Sequence, residues 1–492
     1  MSATSRARIA RGDWPTPPDL ARAVVERVAS SMRRAPRAVV EPTCGAGALL
    51  VAAAERFPRA TLLGFEVNAE HARAAAAKID RARGRVETKD FFLVDWEGEL
   101  RAVRGPLLVI GNPPWVTSAQ LGAIGGSNLP GKDNARGLRG LDAKTGKSNF
   151  DVSEWMIMRL LEALEGRDAT FAMLCKAAVA RRVVGSIAAR SLDVGAIGMW
   201  RVDAARHFEA AVSAVLLIAE TRRARVPARS GARWPVYAAL DAMAPESRLG
   251  VVDGTLVADA LRFARTRHLA GDCAPEWRSG VKHDCARVME LAPAPDGRGA
   301  AWVNGLGERV DVEDAVVYPL FKSSDVAHER AAPSRAVVVT QRSLGEDTRA
   351  LRLGAPRAWR YLRRHRVLLD GRKSSVYDGK PPFAMFGVGP YSFAPWKVAV
   401  SGLYKRSTFA VIGPHRGRPV ILDDTCYFLP FDDEPSARRA AAALRSQAAL
   451  DFIAARVFWD DKRPITKAVL QTLDLGALSR ELDAGLRDQE RA

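Results

Sequence analysis

Through residue 220 the apolar positions alternate between two periods. PPDLARAVVERVASSM carries apolar residues at helical spacing, and Pro17 and Pro18 suit a helix start. RAVVE (37–41) is a short buried strand ending in a carboxylate; a glycine-containing turn and the helical pattern ALLVAAAERF follow. TLLGFEV (61–67) predicts a second strand, AEHARAAAAKIDRA a helix, and RVETKDFF a weaker third strand. PLLVIG is a strong fourth strand that stops at Asn112-Pro113-Pro114. SEWMIMRLLEALE is an amphipathic helix, ATFAMLCK a fifth strand and SAVLLIAE (213–220) a late one. Strands alternating with helices predict an α/β, Rossmann-like fold with a doubly wound parallel sheet. Ligands of such sheets sit outside the carboxyl ends of the strands, so the turns after each strand carry the information.

Beyond residue 220 the pattern changes. TRRARVPARSGARWP (221–235) is basic, aperiodic and contains Pro and Gly, which reads as a linker. Short strand-like pieces (RAVVVTQRS, WKVAVSGLY, RPVILDDTCYFLPF) then mix with basic segments such as RAWRYLRRHRVLLDGRKSS, and the last ~55 residues look helical. The expected organisation is a nucleotide-binding domain over 1–235 and an α+β domain with a helical tail over 236–492.

Composition narrows the function class. Hydrophobic residues make up 48% and charged residues 26%, as in globular proteins. Seventy-four Lys and Arg against 56 Asp and Glu give a formal charge of +18. That surplus points to a polyanion or anionic surface as partner, or to a general bias for Arg and Ala visible in ARAVVERVA. Cys44, Cys175, Cys273, Cys285 and Cys426 are odd in number, widely spaced and without a CxxC, which argues against a disulfide scaffold or zinc site. No metal is expected. The N-terminal stretch lacks an apolar core, and AAVSAVLLIA (210–219) is too short to span a bilayer. A cytoplasmic, monomeric protein without a membrane partner is expected.

VVEPTCGAG (39–47) places Glu41 at a strand end, then Pro42, Cys44, Gly45 and Gly47, then a helix. Glycines let the backbone approach a ligand closely, although a tight turn with no ligand has the same pattern. Glu66 ends the second strand 19 residues after Gly47, where a ribose diol is held in nucleotide folds. The third glycine of a dinucleotide fingerprint is missing, so a nucleoside without a pyrophosphate fits better. Asp90 and Phe91 follow the third strand; a carboxylate can accept from an adenine amino group while a ring packs on the base. After the fourth strand, two prolines hold the Asn112 side-chain oxygen and the Pro113 carbonyl in a fixed relation. Both are acceptors and together receive both hydrogens of an exocyclic amino group, exposing its lone pair. Trp115 offers a flat face to a planar amide or base.

PTPPDLA, VVEPTCGAG, GFEVN, KDFF and GNPPW, in this order, resemble the gamma-class amino-methyltransferases, which use S-adenosylmethionine; the resemblance extends over about residues 13–220. It implies that Thr16 holds the methionine carboxylate, that Glu41, Pro42, Cys44, Gly45 and Gly47 line the methionine end, and that Glu66 binds the ribose. Asp90 and Phe91 would hold the adenine. Asn112, Pro113, Pro114 and Trp115 would handle the target amino group, and Phe208 would pack on the target base. Trp115 departs from the commoner Tyr or Phe. The same tetrapeptide serves adenine in DNA, guanine in ribosomal RNA and glutamine in release factors. The roughly 250 residues that follow resemble the TaqI-like target-recognition domain of gamma-class DNA methyltransferases, in WRSGVKHDCARVMEL, YPLFKSSDV and WKVAVSGLYKRSTFAVIG. DNA contacts are expected from Arg278, Lys282, Lys322, Ser323, Arg342, Lys373, Lys397, Lys405 and Arg406, which lie in loop or strand-edge contexts rather than on a helical stripe. The resemblance implies a stand-alone, site-specific adenine-N6 methyltransferase acting on double-stranded DNA. It would work beside a separately encoded restriction endonuclease or defence-system subunits. The alternatives are a cytosine-N4 or RNA base methyltransferase and a DNA-binding subunit of a defence complex.

Overall fold

Two units divide the chain, Met1–Ala260 and Leu261–Ala492. The structure, a computed structural model, describes residues 14–117, 151–210, 212–222, 233–294 and 302–491. The first unit is built in chain order from α1 (Pro18–Ser31), β1 (Ala38–Glu41), α2 (Ala48–Arg56), β2 (Thr61–Glu66), α3 (Ala69–Ala76), β3 (Gly84–Thr88), α4 (Trp96–Ala102) and β4 (Leu107–Gly111). It continues with α5 (Val152–Ala163), β5 (Ala169–Lys176), α6 (Ala177–Arg190), β6 (Val194–Val202), α7 (Ala204–Phe208), β7 (Ala214–Thr221), β8 (Arg233–Tyr237), β9 (Ser247–Val252) and β10 (Thr255–Val257).

The strands form one sheet in the order β10-β9-β8-β6-β7-β5-β4-β1-β2-β3. From β3 to β5 all neighbours are parallel. Every residue of β1 and β4 is buried, as expected of parallel strands covered by helices on both faces. On one face α1 sets Leu20, Val24 and Val28 at helical spacing into the same core as Leu49, Leu50 and Ala53 of α2. The order reverses between β1 and β4, so the turns after these two strands flank the switch point where open α/β sheets bind ligands.

The sheet departs from the sequence reading in two places. First, β7 runs antiparallel between β5 and β6. Only the short α7 and its turns connect β6 to β7, less than a parallel crossover needs. Second, β8–β10 extend this sheet beyond β6, placing the boundary at 260/261 rather than 235/236. β8 pairs in parallel with β6, and Tyr237 stacks on Trp200 with ring centroids 4.6 Å apart and planes 2° from parallel. The expected linker (221–235) thus ends inside β8; its residues 223–232 lie outside the described residues.

The second unit holds two sheets. Four strands run in the order β11 (Arg278–Ser279), β20 (Cys426–Phe431), β17 (Trp396–Ser401) and β18 (Phe409–Ile412). Six more run β14 (Arg309–Val310), β13 (Trp302–Asn304), β12 (Glu290–Pro293), β16 (Arg335–Val338), β15 (Val317–Phe321) and β19 (Ile421–Leu422). Leu320, Val337 and Val338 centre the second sheet's core, onto which the helix Pro356–Arg364 lays Ala358 and Leu362. Helices Glu434–Leu444, Gln447–Arg456 and Leu475–Arg491 supply the expected helical tail. Among the described residues no helix is long and apolar enough to cross a membrane.

Candidate active site

The turn after β1 is held open by its own backbone geometry. Gly45 (φ +50°) and Gly47 (φ +84°) occupy the left-handed region that glycine enters without steric cost. A Cβ on Gly47 would lie 2.9 Å from the Ala75 Cβ, whereas one on Gly45 would meet nothing within 4 Å. Gly47 therefore lets α2 pack on α3, while Gly45 leaves backbone open to a ligand. Glu66, at the end of β2, ties the loop down: its Oε2 accepts from the Gly45 N–H (2.9 Å) and its Oε1 from the Asn68 N–H (2.9 Å). Each oxygen keeps a further lone pair for a hydroxyl.

Glu41 is 3% exposed and accepts from the Leu50 N–H at 3.2 Å. Burial pushes its carboxyl well above the usual range, against the Leu50 hydrogen bond, and nearby Glu66 adds to the rise. The Cys44 thiol is likewise pushed up by burial and then by Glu41 and Glu66, which leaves it a packing residue rather than a thiolate. Pro42 is buried beside the end of β4, its Cδ 3.6 Å from where a Gly111 Cβ would stand.

Asn112 is the most informative residue. Its amide Nδ2 donates to the Trp14 carbonyl (2.8 Å) and lies 3.3 Å from Thr16 Oγ1. A carbonyl only accepts, so Trp14 fixes which end of the amide faces it. The other end, Oδ1, is buried without a hydrogen-bond partner among the described residues. A buried acceptor left unpaired costs about 1–3 kcal/mol, which a hydrogen donated by a ligand would offset. Pro113 is buried and Pro114 half-buried beside it. Trp115 meets Phe208 at the end of α7 edge-to-face, centroids 5.0 Å apart, so the structure brings these two predicted residues together. Both rings are 4% exposed; a base reaches the Trp115 face only when side chains over it move.

Phe91 needs correction. It is buried against Trp96, with Phe92 and Trp155 nearby, because the turn after β3 directs its first ring into the core. Phe92 is the half-buried ring of the pair. Asp90 caps the turn by accepting from the Phe92 N–H (3.0 Å).

Sequence reading missed Asp151 and Lys176. Lys176, last residue of β5, donates to the 5%-exposed Asp151 at 2.7 Å; Asp151 also accepts from Ser153 Oγ at 2.6 Å. The next residue, Val152, donates its N–H to the Val116 carbonyl at 2.9 Å, tying this cluster to the chain just past Trp115. The apolar run ATFAMLCK ending in a cation was the available signal.

The nine predicted DNA contacts fare unevenly. Lys397 and Ser323 are contradicted. Lys397 is 1% exposed in the interior strand β17, its Nζ on the Ala394 carbonyl, and burial lowers its pKa to about 7. Ser323 is buried, its Oγ bonded to the Thr425 carbonyl and hydroxyl. Lys322 is spent on Glu290 at 2.6 Å. Burial raises that carboxyl, but the hydrogen bonds from His283 and Lys322 outweigh it and hold it at about 2. Arg278 pairs with Glu276 and lies over Tyr391; Lys282 pairs with Asp284. Arg342 lies over Phe393 and donates to the Tyr318 hydroxyl, and Arg406 donates to the Ala327 carbonyl. Lys373 and Lys405 are exposed without a partner among the described residues.

No protein-family model matches the chain. The type II methyltransferase M.NspV from Nostoc sp. is 39% identical over 485 residues, which cover 96% of this chain and 98% of that one. Among solved structures, the type IIL restriction-modification enzyme MmeI in complex with DNA superposes with a TM-score of 0.55 at 12% identity. That match covers 92% of this chain but 64% of MmeI, so the chain spans less than two thirds of that enzyme, and the likeness is one of fold. Identity at this level over nearly the whole of both sequences shows the family: the chain belongs to the type II methyltransferases, whose methyl donor is S-adenosylmethionine.

Proposed function

We propose that the protein is a site-specific DNA methyltransferase that methylates the N6 amino group of an adenine flipped out of the duplex. The observation that carries this reading is the buried Asn112 Oδ1, without a partner among the described residues, whose amide is turned by the Trp14 carbonyl. Asn112 Oδ1 and the Pro113 carbonyl would each accept one amino hydrogen, drawing the nitrogen lone pair out of conjugation with the ring. Neither acceptor is basic, so the surplus proton is released to water after transfer. DNA as substrate is supported by the M.NspV relationship and by the fold shared with MmeI, and adenine by the resemblance of the tetrapeptide to the gamma class. A base paired in a duplex hides its amino group, so flipping is required and costs a few kcal/mol.

The chain's residues fit the donor. Open backbone at Gly45, the Glu66 carboxylate with spare lone pairs and the half-buried Asp90 would take the methionine, ribose and adenine parts, with Phe92 rather than Phe91 as the ring beside the adenine. Thr16, beside Asn112, joins the methionine end to the amino-group acceptor. When bound, S-adenosylmethionine supplies an electrophilic methyl on a sulfonium.

Incubation with labelled S-adenosylmethionine and mixed-sequence duplex DNA, followed by nucleoside mass spectrometry, tests the reading. N6-methyladenine is the expected product. Exclusive 4-methylcytosine, or label on RNA alone, would overturn the base assignment.

A further inference from the structure

The loop cations expected to face DNA are mostly occupied within the protein, whereas a helical stripe in the second unit is not. Between residues 351 and 370 three short helices follow one another, Leu351–Gly354, Pro356–Arg364 and Arg366–Asp370. Ala355, Ala358, Leu362 and Leu369 form the inward face, at spacings of three, four and seven, on the core of β12, β15 and β16. On helix Pro356–Arg364 the exposed positions away from that core are Arg357, Arg360, Arg363 and Arg364, while Arg352, Leu353 and Val367 are exposed on the short helices before and after it. Arg357 is paired with Asp311 and Glu313. Arg352, Arg360, Arg363 and Arg364 have no ion pair or hydrogen bond to a side chain among the described residues.

The platform under these arginines is anchored. Glu313 accepts from the Arg357 and Ala358 N–H groups at 2.8 and 2.9 Å, satisfying the first turn of the helix. Tyr361 donates to the Val288 carbonyl at 2.7 Å and accepts from Asn304 at 3.1 Å. A rigid helix thus presents unneutralised guanidinium groups, which by charge complementarity fit a polyphosphate. Its apolar face is already used on the core, leaving no continuous apolar surface for a bilayer. An α-helix about 10–12 Å across matches the ~12 Å major groove of B-form DNA, while the A-form major groove is too narrow to be read. Leu353 and Val367, 92% and 86% exposed on the flanking helices, have the apolar character that contacts thymine methyls.

We propose that the outward stripe of helix Pro356–Arg364, with Arg360, Arg363 and Arg364 at its centre, docks in the major groove of duplex DNA. This inference rests on the reading of the protein as a DNA methyltransferase. The test is the salt dependence of binding of the full chain, with S-adenosylmethionine, to a fluorescent mixed-sequence duplex. Arg360→Gln, Arg363→Gln and Arg364→Gln combined keep helix-forming residues while removing three cations. Each lost phosphate contact flattens the log–log salt slope by about 0.9, so the triple variant should lose roughly 2–3 from the slope. A triple variant of exposed arginines in the first unit, Arg22→Gln, Arg59→Gln and Arg81→Gln, removes the same charge and should leave the slope unchanged. Thermal melting and S-adenosylmethionine binding report folding; if the triple variant melts early, Arg360→Gln alone should still lose about one from the slope. Binding by the intact chain with an equal slope in both triple variants overturns the inference and leaves the function standing. Tighter binding to an RNA duplex than to DNA, or no DNA binding by the intact chain, overturns both.

Discussion

Asn112 spends its amide hydrogens inside the protein and keeps its oxygen without a partner among the described residues. Trp14, whose backbone carbonyl does the orienting, has no side-chain signal that a sequence could display. The Asn112→Ala variant should retain S-adenosylmethionine binding and lose roughly 10²–10³-fold in turnover, the scale seen when one preorganised hydrogen-bonding group is removed from a reacting centre. Equilibrium binding and single-turnover methylation check this; unchanged turnover sinks the proposed mechanism. Glu41 makes a different prediction. Its folded pKa is raised by burial, so the native state favours the protonated form. The stability this supplies is full below the unfolded pKa, near 4.3, and declines as pH rises towards the folded value. Glu41→Gln mimics the protonated form, so its melting temperature should equal the parent's near pH 4 and exceed it increasingly towards pH 8. A constant gap across that range would contradict the assignment. Lys397 is the mirror case: its pKa is lowered to about 7 by burial. Its native state favours the neutral amine, so stability rises with pH from about 7 towards the unfolded value. Lys397→Met should stabilise at pH 7, where burying a cation is costly, with the gain shrinking towards pH 10. Urea titration at both pH values tests it, and no gain at pH 7 counts against the buried cation.

At the scale of elements, strand-end carboxylates and the glycine turn were legible because their signals are local. A buried parallel strand is a continuous apolar run, and the turn after it is where ligand chemistry concentrates. β6 was not legible: Gly195 and Gly198 interrupt its apolar run, and the antiparallel return of β7 depends on the short α7 connection. Phe91 and Phe92 are adjacent and chemically identical, so only the turn after β3 decides which ring is buried. Lys397 and Ser323 were misread because burial is set by strands distant in sequence, and distance in sequence likewise hid Glu290, which engages Lys322. The glycine turn yields an element-scale prediction. Gly47→Ala places a Cβ at a left-handed residue, costing about 1–2 kcal/mol, and 2.9 Å from Ala75. Its Tm should fall and S-adenosylmethionine affinity with it, because α2 must shift on α3 and carries the Gly45 loop along. Calorimetric titration with the donor checks the second effect; a lowered Tm with unaltered affinity would detach the turn from the donor site.

For the whole molecule, the decisive difference from the sequence reading is where one folding unit ends. Aperiodic basic residues at 221–235 looked like a linker, yet the pairing of β8 with β6 and the Trp200–Tyr237 stack bind the residues after them into the first sheet. Such an aromatic pair is worth about 0.5–1.5 kcal/mol beyond its buried area. Removing β8–β10 would expose the β6 edge, and an uncovered edge strand invites pairing with other chains. Two fragments discriminate between the boundaries. Residues 1–260, the unit seen here, should express as a soluble fragment that unfolds cooperatively and binds S-adenosylmethionine. Residues 1–235 should aggregate or melt markedly lower. Neither should methylate a specific DNA site, because the arginine stripe lies in the unit both lack. Equal melting of the two fragments would return the boundary to 235/236, and site-specific methylation by residues 1–260 would remove the second unit from target recognition.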